Sequence, residues 1–60
     1  MITRDQAKDE LFQSELHLVQ SFNPGVNISQ FRQHWENTIS PSDIDRAWRI
    51  RLEMAAAENV

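Results

Sequence analysis

The sequence predicts an all-α fold: three helices, at about residues 4–22, 28–38 and 41–57, in one small helical domain spanning residues 1–60. Three observations predict it. A helix-start signature occurs three times, a turn or a proline closes the first two segments, and apolar residues recur at helical spacing throughout.

The start signature pairs a capping side chain with a polar residue three positions on. Thr3 precedes Gln6, Asn27 precedes Gln30, and Ser40 precedes Asp43. In such a box the first side chain accepts from a free backbone N–H and the second reaches back to the cap. Pro41 falls on the first helical position, where its missing N–H costs nothing. Val26 with Phe31, and Ile39 with Ile44, occupy the two positions of a hydrophobic staple. Asn23-Pro24-Gly25 combines a fixed φ with a residue free to take φ > 0, so the first helix is expected to end near Phe22. Pro41 disfavours helical geometry at Ser40 and stops the second helix near Thr38. The last three residues, Glu58 to Val60, are expected to fray.

The helices differ in how much apolar surface they carry. The second has a narrow stripe of Ile28, Phe31, Trp35 and Ile39. The first has two adjacent seams, Ala7-Leu11-Leu18-Phe22 and Phe12-Leu16-Val19, with Lys8 and Glu15 inside the same arc. The third is broadest, with Ile44, Trp48, Leu52 and Ala55 in one row and Ala47, Ile50 and Met54 in another. Two wide helices and one narrow one carry more apolar surface than a 60-residue unit can cover, so dimerisation is expected to complete the bundle. The expected interface lies on the first and third helices. Trp48 and Leu52 are its anchors, Ala47 and Ala55 allow close approach, and Phe12, Leu16 and Val19 supply the other side.

Composition narrows the function classes. An apolar fraction of 40% and a charged fraction of 25% suit a folded domain rather than a disordered one. There is no cysteine, which removes disulfides and thiolate metal sites as sources of stability. No apolar run exceeds Met54-Ala55-Ala56-Ala57, so no membrane span or signal-peptide core is expected, and the cytoplasm is the expected location. The net charge of −3 works against nonspecific attraction to nucleic acid or to an anionic membrane.

The densest charge is Arg46, Arg49 and Arg51 around Trp48. A groove-reading helix would align such arginines with phosphates. Here Arg46 and Arg49 are neighbours on one face, Arg51 points away from both, and Asp43 and Asp45 occupy the first turn. Packing therefore accounts for this helix better than nucleic-acid reading. The short link before it nonetheless resembles the turn of a helix-turn-helix, so a DNA-binding regulator contacting phosphates through Arg46, Arg49 and Arg51 is the alternative. Arg51 lies inside an apolar arc, as Glu15 does on the first helix; either Arg51 snorkels to water or the two form a pair. Arg46 and Arg49 are the candidate contacts to a partner.

No arrangement supports catalysis, a cofactor, a metal or a small-molecule substrate. There is no cysteine nucleophile, the chain has a single glycine and no Gly-rich phosphate loop, and His17 and His34 both fall on polar faces. Asp5, Asp9 and Glu10 crowd the start of a helix, where the macrodipole favours negative charge. In size, lack of cysteine and all-helical make-up the chain resembles the small accessory proteins of bacterial phages and plasmids. The expected function is a non-catalytic, regulatory protein-interaction module, a homodimer whose polar face is free to meet a host protein.

Overall fold

The computed structural model describes residues 1–58. They form three helices in a small all-α bundle: α1 (Arg4–Phe22), α2 (Ile28–Thr38) and α3 (Pro41–Glu58), with no strand among the described residues. The predicted boundaries hold, with α3 one residue longer than expected. α3 extends to Glu58, and residues 59–60, the rest of the end expected to fray, lie outside the described residues.

The caps show why the helices begin where they do. At α1 the box is complete: Thr3 Oγ1 accepts from the Gln6 N–H at 3.1 Å, and Gln6 Oε1 accepts from the Thr3 N–H at 2.9 Å. At α2 only half of it forms, with Asn27 Oδ1 accepting from the Gln30 N–H at 3.0 Å. At α3 the expected Ser40–Asp43 box is replaced. The Ser40 hydroxyl lies 2.8 Å from that of Ser42 and accepts from the Ser42 N–H at 3.3 Å, while the Asp43 N–H donates to the Ser40 carbonyl. Ser42 is closer along the chain and captures the capping oxygen first.

Between α1 and α2 the Val26 N–H donates to the Asn23 carbonyl at 3.1 Å, closing a turn over Pro24 and Gly25. No glycine has positive φ, so the turn is of type I rather than type II. The turn uses the fixed φ of Pro24 and leaves the left-handed freedom of Gly25 unspent.

α1 is the spine of the molecule. α2 and α3 both pack on it, yet no Cα of α2 comes within 8 Å of one of α3 among the described residues. Two separate contacts result. In the first, Phe12 and Leu16 of α1 enclose Trp35 of α2, with Leu11, Val26, Phe31 and Ile39 packed around them. The Phe12 ring meets Trp35 edge-on at 5.2 Å between centroids and Phe31 at 5.7 Å, and the Arg32 guanidinium carbon sits 4.3 Å from its centroid. The staple residues Val26, Phe31 and Ile39 all contribute to this cluster.

The second contact sets α3 against the N-terminal half of α1. Ala7 and Ile44 are its buried residues. Arg4 Nε donates to Asp45 Oδ1 at 2.6 Å, Arg51 grips Glu10 through two N–H donors at 2.8 and 3.4 Å, and Trp48 Nε1 donates to the Ile2 carbonyl at 3.0 Å.

The bundle is open. Its principal extents are 42 × 22 × 14 Å and its Cα radius of gyration is 13.2 Å, against about 10 Å for a compact 60-residue chain. It exposes 4767 Å², where a compact chain of this mass exposes roughly 4,000 Å².

Candidate interaction surface

The surplus surface follows from how far each helix reaches along α1. On α1 the seam Ala7-Leu11-Leu18-Phe22 runs the length of the helix, but α3 lies over its N-terminal half only. Ala7 is buried and Leu11 half-buried, whereas Leu18 is 58% and Phe22 84% exposed. On α3 the row facing α1 is half-buried at Trp48, Leu52 and Ala55, while Ile50 and Met54 on its flank are each 49% exposed.

Along one side of the α1–α3 crossing two shallow depressions of about 280 and 220 Å³ run together, sharing Leu11, Ala47 and Ile50. Ile39 and Ala7 extend this apolar floor at either end. Charge is confined to the rims. Glu10 and Glu15 stand on the α1 side, and Asp43, Arg46 and Arg51 on the α3 side. Arg51 and Glu10 are paired across the helices, with side chains 41% and 50% exposed. Glu15 and Arg46 take part in none of the four ion pairs found among the described residues.

Several expectations need correction. Phe12 and Leu16, expected to face a partner, are buried inside the chain as the heart of the α1–α2 contact and have little surface left to give. Periodicity places them on an apolar face without saying which neighbour covers it. Arg51 does not meet Glu15 within the chain; it meets Glu10, one turn nearer the end of α1 that α3 reaches. Trp48 is half-buried and pins the N-terminal segment through its indole N–H. Leu52 and Ala55 are half-buried beside Met1 and Ala56, Val19 is half-buried on α1, and Ala47 sits in the trough. Arg46 and Arg49 are exposed and border a small cleft with Ser42 and Asp45.

Leu11, Leu18, Phe22, Ile50 and Met54 were not singled out as partner-facing from the sequence, although each stood in an apolar row. For Leu11, Leu18 and Phe22 the signal was the length of the α1 seam, which a helix crossing at one point cannot cover, and for Ile50 and Met54 it was the second apolar row of α3. The Arg32 lid on Phe12 was also missed, because it depends on how α2 rotates against α1.

An open concavity of about 590 Å³ is lined by Met1, Ile2, Asp5, Gln6, Asp9, Glu10 and Arg51. Among the described residues no three His, Cys, Asp or Glu side chains gather as metal ligands, and His17 and His34 are exposed. No helix of the described residues is long and apolar enough to cross a membrane. No protein-family model, curated protein or solved structure matches this chain.

Proposed function

We propose that the chain is a small non-catalytic helical interaction module with a regulatory role. It acts as a homodimer in the cytoplasm, in the manner of the accessory proteins that phages and plasmids encode. Its apolar flank takes up the second copy, and its exposed polar face, with Arg46 and Arg49, is left to meet a host protein.

One observation carries this reading: the chain exposes roughly 700 Å² more than a compact chain of its mass, and its apolar trough lies within that open architecture. A standard interface takes about 800 Å² from each partner, so the surplus is of the size one such contact removes. Reading of nucleic acid by α3 has less support. A helix-turn-helix is built from two helices joined by a short turn, and here α2 and α3 each pack on α1 and stay apart. Arg4 and Arg51 are also held by carboxylates.

Sedimentation equilibrium over a range of concentrations tests the proposal. The expected mass is twice that of one chain at micromolar concentration. A single-chain mass at high micromolar concentration overturns it.

A further inference from the structure

On the basis of that dimer reading, we infer that two copies pair antiparallel through the open halves of their α1 helices, each seating Phe22 in the other's α1–α3 trough. The two-fold axis passes between Ser14 and Leu18, and Leu11, Ala47 and Ile50 form the floor of each socket.

The chain carries an anchor without a socket and a socket without an anchor. Phe22 ends α1 with 84% of its surface exposed, and Leu18, one turn before it, is 58% exposed. The depression lined by Ala7, Leu11, Ser14, Ala47 and Ile50 has a volume of about 220 Å³. An apolar cavity of about 150 Å³ takes up benzene, so a phenyl ring has room there. Phe22 of the same chain cannot reach it. Residues 11 and 22 belong to one helix, and the rise between them is roughly 16 Å at about 1.5 Å per residue. That separation is also close to three whole turns, so Leu11 and Phe22 share a face of α1. A two-fold axis midway between them sets the helices antiparallel and exchanges the two features, since in an isologous contact residue i meets j while j meets i.

The seam between anchor and socket suits a second helix. Leu11, Ser14, Leu18 and Ser21 recur at spacings of three and four, the narrow stripe along which two helices pack. The axis brings each Leu18 level with Ser14 of the mate, large against small. The Ser21 hydroxyl already donates to the Leu18 carbonyl at 2.6 Å, so covering it strands no donor. Area agrees with this occupant. The surplus of roughly 700 Å² is close to the 800 Å² or so that each partner gives to a standard interface. Leu18, Phe22 and Ile50 are among the large apolar side chains that hold it open.

Shape selects the second copy; charge does not. On the rim of this depression Glu10 and Arg51 neutralise each other at 2.8 Å. The neighbouring depression adds Glu15, Asp43 and Arg46, charges of both signs around the same floor. The pairing calls on neither Arg46 nor Arg49, which stay available to a host protein.

Substitutions at anchor and socket test the exchange. Phe22→Ala is expected to weaken self-association by roughly thirtyfold, the loss typical of a central anchor. Ile50→Glu, which puts a charge in the socket, is expected to do the same. Both positions are exposed, so helical circular dichroism should be unchanged. Mixed together, the two variants are expected to associate more tightly than either alone, because Phe22 of one copy again meets an intact socket in the other. In a wild-type dimer with one copy isotope-labelled, a nuclear Overhauser contact is expected between the Phe22 ring and the Ile50 methyl groups across copies. A monomeric wild type at high micromolar concentration overturns both the dimer reading and this pairing. The pairing alone is overturned if the wild type is dimeric but Phe22→Ala associates unchanged, the mixture gains nothing, or the contact across copies is absent. If Phe22→Ala stays dimeric and instead loses a host protein that the wild type captures, the strip belongs to that protein.

Discussion

The two contacts on α1 are built from different materials. The α1–α2 contact is an aromatic core, with Phe12 2% exposed and enclosed by Trp35, Phe31 and Arg32. Its ion pairs, Lys8–Glu36 at 3.8 Å and Asp9–Arg32 at 3.7 Å, are long. The α1–α3 contact reverses the proportions. Its apolar part is thin, with Ala7 and Ile44 as the buried residues, and its polar contacts are short and hydrogen-bonded. Burial of a large side chain contributes about 1.5–3 kcal/mol, whereas an exposed ion pair contributes about 1 kcal/mol or less. The first contact therefore supplies cohesion, and the second mainly fixes where α3 sits. A helix held in register by its edges keeps apolar surface free for something else, and that is the side of the molecule on which the trough lies.

The largest expected effect comes from emptying the aromatic core. Phe12→Ala should cost about 3–5 kcal/mol, comparable to all that a core in a chain this small provides. Helical circular dichroism should collapse at room temperature. Ile44→Ala removes the buried anchor of the other contact and should cost about 2–3 kcal/mol, toward the low end for such a change because its thin surroundings can close on the gap. Each contact holds one tryptophan, so the two indole N–H resonances report on them separately. In Ile44→Ala the Trp48 resonance should shift or broaden while that of Trp35 keeps its position. Equal damage from the two substitutions would erase the distinction between the contacts.

A smaller effect is expected in the turn that leads from α1 into α2. A methyl group on Gly25 would meet nothing nearer than Asn23 Oδ1 at 3.8 Å, and the glycine does not use positive φ. Gly25→Ala should therefore stabilise the protein by about 0.4–1 kcal/mol, by restricting the unfolded chain. Urea unfolding followed by circular dichroism measures this. A lower midpoint would show that the turn needs glycine after all.

Local features of this kind were the most legible in the sequence. Thr3 and Gln6, or Asn27 and Gln30, must meet if a helix starts between them, so spacing alone located the caps and the three helices. The failure at Ser40 is also local, since Ser42 competes for the same oxygen. The site was less legible because it depends on where helices cross. The arc on α1 is continuous in sequence, yet α2 covers Phe12 and Leu16, α3 covers Ala7 and part of Leu11, and Leu18 and Phe22 stay open. No periodicity separates those fates. The choice of Glu10 over Glu15 as the partner of Arg51 follows from the same crossing.

The smallest expected effect separates the contacts by their response to salt. Raising ionic strength from about 0.1 to 1 M shortens the screening length from roughly 10 to 3 Å. The Arg4–Asp45 and Arg51–Glu10 pairs are partly exposed, with every side chain between 40% and 50% accessible, so screening reaches them. The α1–α3 contact should weaken by a few tenths of a kcal/mol. Arg51 holds its carboxylate through two donors and Arg4 through the shorter bond, and such charge-assisted geometry keeps part of its strength when long-range attraction is screened. In a urea titration at the two salt concentrations, the Trp48 resonance should change at lower urea in high salt. The Trp35 midpoint should hold or rise, because the cohesion around it is mainly apolar and its ion pairs, Lys8–Glu36 and Asp9–Arg32, are already long. If both tryptophans move together in either direction, α3 and α2 leave α1 as one cooperative unit and the apolar-versus-ionic contrast does not set the order of unfolding.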